Sequence, residues 1–337
     1  MKIKWYLSIL IILTISIFIY HYVETNEQPS LKIGIVMMGD SRNEKFSGLQ
    51  QGLQDLGYKK KEINFILKNA NDQEGRLERQ IKDLLKDRPN LIVTLGGIET
   101  TTLKAEMEKQ HLNIPIVFAG VAAPREIGLI QDYQSPGGLL TGVNNYHTKI
   151  SGKRLEILHD LVPSINRVLV LYDDEIEISR ISLKETVETA KILSIPILPV
   201  NAAESDFLQS LQKSVRPNDA ILILPGFRIE SATKEIVALS QKYKIPTMGI
   251  YEHEVEQGFL ASYGASFFDQ GYQAARYVSL IIQGNSPGDL PVEVPDRIRF
   301  IINDQVRGKL GFSLNKNIGS MAETINPAKG EGLEKNE

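Results

Sequence analysis

The sequence contains no cysteine among its 337 residues. This absence excludes disulfide bonds, catalytic thiols and thiolate-bound metals. It also excludes attachment to a membrane through an acylated cysteine. Any membrane attachment of this chain must therefore be made by a protein segment.

A strong charge of one sign is also missing, since 38 basic residues face 41 acidic residues and the formal net charge is -3. Such a balance supplies no field that would gather nucleic acid, and we predict no nucleic-acid partner. The 42% of hydrophobic and 23% of charged residues are typical of a globular protein. The length favours about two domains.

The motifs of common enzymes are absent. No GxGxxG, GxxxxGK(S/T) or GxSxG pattern occurs, and we find no nucleophile beside a base at a predicted strand end, which argues against a hydrolase. The segment His253-Glu254 lacks the second histidine of a zinc protease helix, so a solvated turn is expected there. We predict a protein that is not an enzyme and binds no metal or cofactor. The histidines, none of which form an i, i+4 pair, are His21, His111, His147, His159 and His253.

The N-terminal segment carries a membrane signal. Lys2 and Lys4 precede an apolar run from Trp5 to Tyr20. A helix of about 19 residues just crosses a hydrocarbon core of roughly 30 Å, and the lysines favour the cytoplasmic side. A cleaved signal peptide is the alternative, although small residues before a cleavage site are missing. We predict an anchor over residues 1–24 that holds the chain at the outer face of the cytoplasmic membrane, toward the periplasm or the cell exterior.

From residue 31 onward, short β-branched runs alternate with amphipathic helical stretches, which predicts parallel α/β units. A buried strand, 31–38, is followed by a turn and by a helix that ends at Gly57. The other elements predicted before residue 145 are helix 74–86, strand 91–95, helix 100–109 and strand 114–119.

The second half repeats this alternation. Its predicted elements are helix 150–161, strand 167–172, helix 183–193, strand 197–200, helix 207–213, strand 220–224, helix 231–243, strand 247–251, strand 259–263, helix 268–282 and strand 298–303. The polar tail from Gly319 to Glu337 is predicted to be disordered.

Acidic side chains follow two predicted strands, at the edge where open α/β sheets bind ligands. Asp40 and Ser41 follow the first strand, and they contact a ligand, cap the next helix, or do both. Asp173 and Asp174 follow the strand 167–172, where two carboxylates either receive an ammonium group or a cation, or simply form an acidic turn.

Glycines and aromatic residues follow other predicted strands. Gly96 and Gly97 either let backbone N–H groups approach a ligand at a helix N-terminus or form a tight turn. Phe227 and Tyr251 either stack on a ring or apolar solute or belong to the core.

A series of short segments resembles one known family in both composition and order. The segments are Asn90–Gly97 (NLIVTLGG), Ile114–Val121 (IPIVFAGV) with Pro124, Ser135–Val143 (SPGGLLTGV), Leu155–Leu158 with Pro163 and Arg167, Lys244–Pro246, Gly258–Gly264 (GFLASYG), Asp269–Gly271, Ala274 and Ala275, Gly284 with Pro287, Asp289–Glu293 (DLPVE), Asn303, and Leu310 with Gly311. They are similar to the substrate-binding components of ABC importers of the tryptophan/tyrosine transport type, over most of the chain.

The resemblance implies two Rossmann-like lobes in the type I periplasmic-binding arrangement, with a solute between them and an ABC permease as partner. Hinge closure on the solute would be the working motion. The implied lobe one comprises residues 31–144 and 265–292, the implied lobe two comprises residues 145–264 and 293–318, the tail comprises residues 319–337, and three crossovers fall near 142–146, 264–267 and 292–296.

The chain departs from this family at cleft positions. Gly96-Gly97-Ile98 stands where the family commonly has Gly-Thr-Pro, and Ala123-Pro124 stands where an aspartate precedes the proline. Pro225-Gly226-Phe227 stands where Thr-Asp-Asn usually ends a strand of lobe two. These exchanges remove polar groups that could hold an amino acid, and we expect a changed specificity because each unpaired buried polar group costs about 1–3 kcal/mol.

We therefore expect an extracytoplasmic receptor that delivers a small organic solute, amino-acid-like or aromatic, to an ABC permease. The alternative is a membrane-tethered sensory or interaction module with a degenerate ligand cleft. Transport stays ahead of this alternative because only residues 1–4 would lie in the cytoplasm, so any signal would have to pass through a partner. The residues expected to line the cleft are Asp40, Ser41, Gly97, Ile98 and Ala122 from lobe one and Tyr172, Asp173, Gly226, Phe227 and Tyr251 from lobe two.

Overall fold

The computed structural model describes residues 31–326, which form two separate sheets. The first sheet has the strand order β2-β1-β3-β4-β5, and all neighbouring strands are parallel. Its strands are β1 (Leu31–Met37), β2 (Ile63–Asn69), β3 (Leu91–Thr94), β4 (Ile116–Val121) and β5 (Leu140–Asn144). The last three are buried along their whole length, as expected of parallel strands covered on both faces.

Helices cover both faces of this first sheet. They are α1 (Asn43–Asp55), α2 (Glu74–Lys86) and α3 (Gly97–Gln110). Leu77, Ile81 and Leu84 recur at helical spacing and give α2 one apolar face. Successive residues of β1 point to opposite faces, so that Ile35 joins a core with α1 and Val36 joins a core with α2.

The second sheet has the strand order β12-β11-β10-β9-β8-β6-β7. Its strands are β6 (Arg167–Tyr172), β7 (Ile197–Asn201), β8 (Asp219–Ile223), β9 (Thr247–Gly249), β10 (Ala261–Gly264), β11 (Arg299–Asn303) and β12 (Glu323–Ile325). β11 enters this sheet after the chain returns from the first lobe, and it runs antiparallel to β10. Leu169 and Val170 of β6 lie in different cores, so this sheet is also covered on both faces.

The helices after β5 complete the two lobes. They are α4 (Ser151–Leu161), α5 (Glu177–Leu193), α6 (Phe207–Ser214), α7 (Phe227–Ser231), α8 (Thr233–Tyr243), α9 (Glu252–Gln257), α10 (Phe267–Ile282), α11 (Asp304–Leu310) and α12 (Lys316–Gly319).

The chain passes between the lobes three times. It leaves the first sheet after β5, returns to the first lobe with α10, and enters the second sheet again with β11. The first and third passages lie side by side, where the N–H of Asn144 donates to the carbonyl oxygen of Glu293 over 2.8 Å. The three passages connect the two lobes.

Glycines let α1 and α10 approach closely. A Cβ at Gly48 would lie 2.0 Å from the carbonyl oxygen of Phe268, and a Cβ at Gly271 would lie 1.8 Å from that of Lys45. This close packing holds the N-terminal ends of the two helices beside each other, at the point where the chain passes between the lobes.

The predicted elements agree with most of these bounds, but the sequence does not predict β2 or β5. β2 is largely half-exposed and lies at an edge of its sheet, so it lacks a buried apolar run. β5 carries Gly142 at its centre, which weakens its strand pattern. The predicted helix 231–243 begins earlier and is divided into α7 and α8 at Ala232.

The prediction of a disordered tail from Gly319 is wrong for its first part. Glu323–Ile325 forms β12, which pairs with β11. The rest of the tail, from residue 327, and the predicted anchor over residues 1–24 lie outside the described residues. Between residues 31 and 326, no helix is long and apolar enough to cross a membrane.

Candidate functional site

An ion pair joins the two lobes. Arg42 lies in the 3-10 turn between β1 and α1, and Glu230 lies in α7, after β8. Nη1 and Nη2 of Arg42 are 3.1 and 3.3 Å from Oε1 and Oε2 of Glu230. The two side chains are only 12% and 18% exposed, so salt and water screen this pair weakly.

Glu99 places a second carboxylate beside Arg42. Its Oε1 accepts the N–H of Met38 over 2.9 Å and lies 4.0 Å from Nε of Arg42. The Glu99 side chain fills the space next to Gly96, where a Cβ would lie 2.4 Å from Oε2. Gly96 therefore serves to admit a buried carboxylate at the start of α3.

The charges of this group stabilise one another against burial. Burial alone would lower the pKa of Arg42, but Glu230 and Glu99 raise that pKa above its ordinary value. Burial alone would raise the pKa of Glu230, but Arg42 and then His253 lower it. Arg42 and Glu230 are therefore both ionised at neutral pH.

Lys45 brings a buried amine to the same place. Its Nζ donates to the carbonyl oxygen of Ala119 over 3.0 Å and would be 3.0 Å from a Cβ at Gly120. Gly120 has a φ of 85°, in the region that favours glycine, and a Cβ there would also collide with Gln270. Burial and then the charge of Arg42 lower the pKa of Lys45 well below its ordinary value.

Aromatic rings lie against these charges. The ring centroid of Tyr251 is 5.4 Å from that of His253 and 4.4 Å from that of Phe267. Arg42 and Lys45 each lie 4.8 Å from the centroid of the Phe267 ring. At this distance the charged guanidinium of Arg42 is attracted by the ring face, so the rings and these two side chains form one cluster.

Several buried polar atoms of this cluster and its neighbours have no hydrogen-bond partner within residues 31–326. They are Nε of Arg42, Oε2 of Glu99, Nε2 of His147, Nδ1 of His253, Oε1 of Glu254 and Oε1 of Gln270. Unpaired buried groups cost about 1–3 kcal/mol each and are rare in folded proteins. These atoms come from both lobes, and each keeps an unused donor or acceptor.

Three of the predicted cleft residues reach the contact between the lobes. Tyr251 belongs to the aromatic cluster described above. Phe227 and Ile98 pack against the same hydrophobic cluster of lobe one, which includes Met38 and Val121. Phe227 therefore carries an apolar side chain of lobe two onto lobe one.

Gly97 and Ala122 lie near this apolar contact. Gly97 is the first residue of α3, and a Cβ there would be 4.0 Å from Cγ1 of Val121. Ala122 follows Val121 and is buried.

Two predicted residues of lobe one lie on its surface. Asp40 and Ser41 are both exposed, and Nδ2 of Asn69 donates to Oδ1 of Asp40 over 2.8 Å. The interpretation that they cap the next helix is wrong, because no side-chain capping bond is formed at the start of the 3-10 turn or of α1.

The remaining predicted residues make their described contacts inside lobe two. Both carboxylate oxygens of Asp173 accept from Nη1 of Arg228, over 3.0 and 2.8 Å. A Cβ at Gly226 would lie 3.5 Å from Cβ of Asp173. Tyr172 is half-buried and packs against a core of lobe two. That these three residues contact a solute stays a prediction.

The charged residues of the cluster are not predicted from the sequence. Arg42 and Lys45 come shortly after Asp40, in the loop and helix that follow β1, and Glu230 comes three residues after Phe227. The signal that the sequence offers for these residues is their closeness to a predicted strand end. A charged residue in the first turn of a helix is usually solvated, however, so this closeness alone does not predict a buried site.

The expectation of a solvated turn at His253-Glu254 is wrong. Both residues belong to α9, and Glu254 is fully buried. Oε2 of Glu254 accepts the N–H groups of Ile250 and Tyr251 over 2.6 and 2.9 Å. These bonds fix the turn that presents the Tyr251 and His253 rings to the other lobe.

Comparison with known proteins identifies relatives of this chain. A tyrosine-binding protein of Clostridioides difficile (strain R20291) is 25% identical over 283 residues, which are 83% of this chain and 80% of the relative. The ABC domain in complex with L-Trp from Streptococcus pneumonia has a TM-score of 0.78 and 21% identity, covering 88% of this chain and 100% of that one.

Two further solved structures share the two-lobed fold. A conserved domain protein from Vibrio cholerae has a TM-score of 0.78 and 24% identity, covering 88% of this chain and 99% of that one. A ligand-free, open substrate binding protein with adhesive properties from Clostridium difficile has a TM-score of 0.68 and 20% identity, with coverages of 88% and 99%.

The model of the ABC transporter substrate binding protein family matches residues 30–325. This match confirms the resemblance found in the sequence. The family consists of solute-binding proteins and not of enzymes, so the prediction that this chain is not an enzyme is also confirmed. The chain belongs to the ABC transporter substrate binding protein family.

Proposed function

We propose that this chain is the solute receptor of an ABC importer and that its lobes close around a small amino-acid-like or aromatic solute. The observation that carries this proposal is the cluster between the lobes, where Tyr251, His253 and Phe267 lie beside charges of both signs. Aromatic faces with a few convergent polar groups are what a site for a small organic molecule needs.

The names of two relatives support the class of solute. One is a tyrosine-binding protein and another was solved with L-Trp. Both ligands combine a ring with an amine and a carboxylate, and Tyr251 and Phe267 offer ring contacts, which are worth about 0.5–1.5 kcal/mol beyond the buried area.

Entry of a solute requires the lobes to separate. The Arg42–Glu230 pair and the packing of Phe227 on lobe one both hold them together. Rotation about the three chain passages would break these contacts, and closure would form them again around the solute. This is the motion that a permease would detect.

We further propose that the segment over residues 1–24 anchors the receptor at the outer face of the cytoplasmic membrane. Its apolar run and its lysines support this arrangement. An ABC permease in the same membrane would be the partner that receives the solute.

The test is calorimetric unfolding of the full-length chain in detergent, with and without amino acids, aromatic amines, aromatic acids, nucleosides and sugars. A solute at about 100 times its Kd adds roughly 2.7 kcal/mol to the free energy of unfolding and raises Tm by a few degrees. Tyr251→Ala should abolish the rise in Tm caused by any solute of the panel that stabilises the wild type. Tyr272→Ala is the matched control, because this tyrosine is 41% exposed on α10.

A second function is favoured by one observation. Arg42 and Glu230 pair with each other across the contact between the lobes, as expected of a membrane-tethered interaction module with a degenerate cleft. If the whole panel leaves Tm unchanged, this second function replaces the first.

A further inference from the structure

We propose that a basic edge of lobe one, built around Lys32, the turn Lys59–Lys61 and Arg88, lies on anionic phospholipid head groups and holds lobe two away from the membrane. This inference rests on the proposed anchor over residues 1–24 and does not depend on the solute. It gives the chain a lipid surface as a further partner.

The fold brings two turns to the residue at which the described chain begins. The N–H of Leu31 donates to the carbonyl oxygen of Glu62 over 2.9 Å, which places the turn before β2 on one side of β1. The N–H of Lys32 donates to Oδ1 of Asn90 over 2.8 Å, which places the turn before β3 on the other side. The basic edge is formed by residues 31–32, 58–62 and 86–90.

The basic edge carries a charge opposite to that of the whole chain. It holds six cations and two carboxylates, whereas the formal net charge of the chain is -3. Clusters of about 4–8 cations are what anionic lipid surfaces bind, so the three consecutive lysines alone are too few and the fold supplies the others. Five of the cations are exposed and form no ion pair within residues 31–326, namely Lys32, Lys59, Lys60, Lys61 and Arg88.

The three lysines of the turn are not explained by the helix that precedes them. A cation in the last turn of a helix stabilises the helix dipole, as Lys86 does in α2. α1 ends at Asp55, however, and Lys59–Lys61 come after its last turn. The turn is closed by the N–H of Glu62, which donates to the carbonyl oxygen of Lys59 over 2.9 Å. The lysines are therefore held at the surface without a partner in their own lobe.

The proposed anchor would keep this edge beside the membrane. Residues 25–30 separate the anchor from Leu31, and six residues span at most about 20 Å even when fully extended. Such a tether gives a high effective concentration, so contacts that are weak one by one are sufficient. A lysine close to an anionic surface favours the contact about fivefold.

The orientation of the lobes follows from the parallel strands of the first sheet. The basic edge lies where these strands begin, whereas Arg42 meets Glu230 beyond the end at which β1 finishes. Contact of the basic edge with lipid therefore turns the junction of the lobes, and lobe two with it, away from the membrane.

The test measures which lobe touches lipid in the full-length chain. Because the chain contains no cysteine, one introduced cysteine carries a fluorophore at a single position. Asn113→Cys marks the edge of lobe one before β4, and Ser164→Cys marks the corresponding edge of lobe two before β6, both at exposed sites. Each labelled chain is reconstituted into vesicles that carry nitroxide-labelled head groups. The vesicles consist of phosphatidylcholine alone or of equal parts of phosphatidylcholine and phosphatidylglycerol.

We expect quenching at position 113 to be at least about twofold stronger in the anionic vesicles, and high salt should remove the difference. Quenching at position 164 should be weak in both kinds of vesicle. Joint replacement of Lys59, Lys60 and Lys61 by glutamine should weaken the contact by up to about 100-fold and remove most of the added quenching. An unchanged Tm, expected for exposed sites, excludes unfolding as the cause.

A matched control removes the same charge from the corresponding edge of lobe two. Joint replacement of Lys191, Lys213 and Lys244 by glutamine, three exposed lysines without an ion pair in the described part of the chain, should leave quenching at position 113 unchanged.

Three results would overturn the inference while the anchor stands: equal quenching at position 113 in both kinds of vesicle, added quenching that survives replacement of the three turn lysines, or stronger quenching at position 164 than at 113. A chain that does not float with either kind of vesicle contradicts the anchor, and the inference fails with it.

Discussion

The guanidinium of Arg154 donates to Nδ1 of His147 over 3.0 Å. Arginine has no acceptor, so Nδ1 must accept and the proton of the neutral ring lies on Nε2. Burial and then the charge of Arg154 lower the pKa of His147 well below its ordinary value, which keeps the ring neutral. Arg154 also donates to the carbonyl oxygens of His147 and Tyr263, over 3.0 and 2.6 Å. These carbonyls adjoin the first two passages between the lobes, so Arg154 ties the hinge segments together.

Replacement of Arg154 should therefore destabilise the hinge. Arg154→Met leaves the two carbonyl oxygens without donors and should lower the free energy of unfolding by about 3 kcal/mol. Urea unfolding followed by circular dichroism measures this loss. Lys153→Met is the control on the same helix, since its side chain is 48% exposed, and should change the free energy by less than about 0.5 kcal/mol. Equal effects of the two variants would contradict the hinge role.

Glu254 should make stability fall with rising pH. Burial raises the pKa of this carboxyl from 4.5 to about 8, despite the two N–H groups that it accepts. The unfolded chain loses this proton near pH 4.5, whereas the folded chain keeps it until about pH 8. The stability that it contributes is therefore complete below pH 4.5 and is lost progressively up to about pH 8.

The measurement is Tm against pH for the wild type and for Glu254→Gln. The amide keeps an oxygen for the N–H groups of Ile250 and Tyr251 and cannot ionise. The free energy of unfolding should decrease less with rising pH in the variant than in the wild type, and the difference should be at most about 5 kcal/mol between pH 4.5 and about pH 8. Parallel pH profiles would show that Glu254 ionises at the same pH in the folded and unfolded chains.

The close packing of α1 on α10 should not tolerate a methyl group. Gly48→Ala puts a Cβ 2.0 Å from the carbonyl oxygen of Phe268, and relief of this contact requires the helices to separate. We expect a loss of about 1–3 kcal/mol in the free energy of unfolding. Gly75→Ala in α2 is the control, because a Cβ there meets nothing within 4 Å, and it should stabilise the protein by up to about 1 kcal/mol. A neutral Gly48→Ala would mean that the two helices can separate at little cost.

Phe227 should contribute to closure and not only to the stability of its lobe. Phe227→Ala removes a half-buried ring from the hydrophobic cluster of lobe one, and the closed state becomes less favourable. Titration with a solute found in the calorimetric panel should give an affinity about tenfold weaker. Leu193→Ala, at a 42% exposed site of α5, should leave the affinity unchanged. An unchanged affinity in Phe227→Ala would place the ring outside the closing surface.

The fold could be predicted because local patterns report it. Leu77, Ile81 and Leu84 recur at helical spacing, and the apolar run that forms β4 is short and flanked by Pro115, so each pattern has one structural solution. β2 could not be predicted from the sequence, because an edge strand pairs on one side only and needs no run of buried apolar residues.

The site could be predicted only where its residues follow strands directly. Tyr251 lies at the predicted end of a strand and belongs to the cluster. Asp173 was chosen for the same reason, but its carboxylate accepts a hydrogen bond from Arg228. The composition of a loop does not reveal which side chain turns inward, because a charge is stable there only if a distant residue pairs with it.

The sequence by itself determined the two α/β lobes, the positions of most helices and strands, and the family, because periodicity and motif order are local properties of the chain. The tertiary structure alone decided that Arg42 meets Glu230, although 188 residues separate them along the chain. Burial of a charge depends on a partner that only the packed lobes supply, and that pairing turns two ordinary surface residue types into the centre of the candidate site.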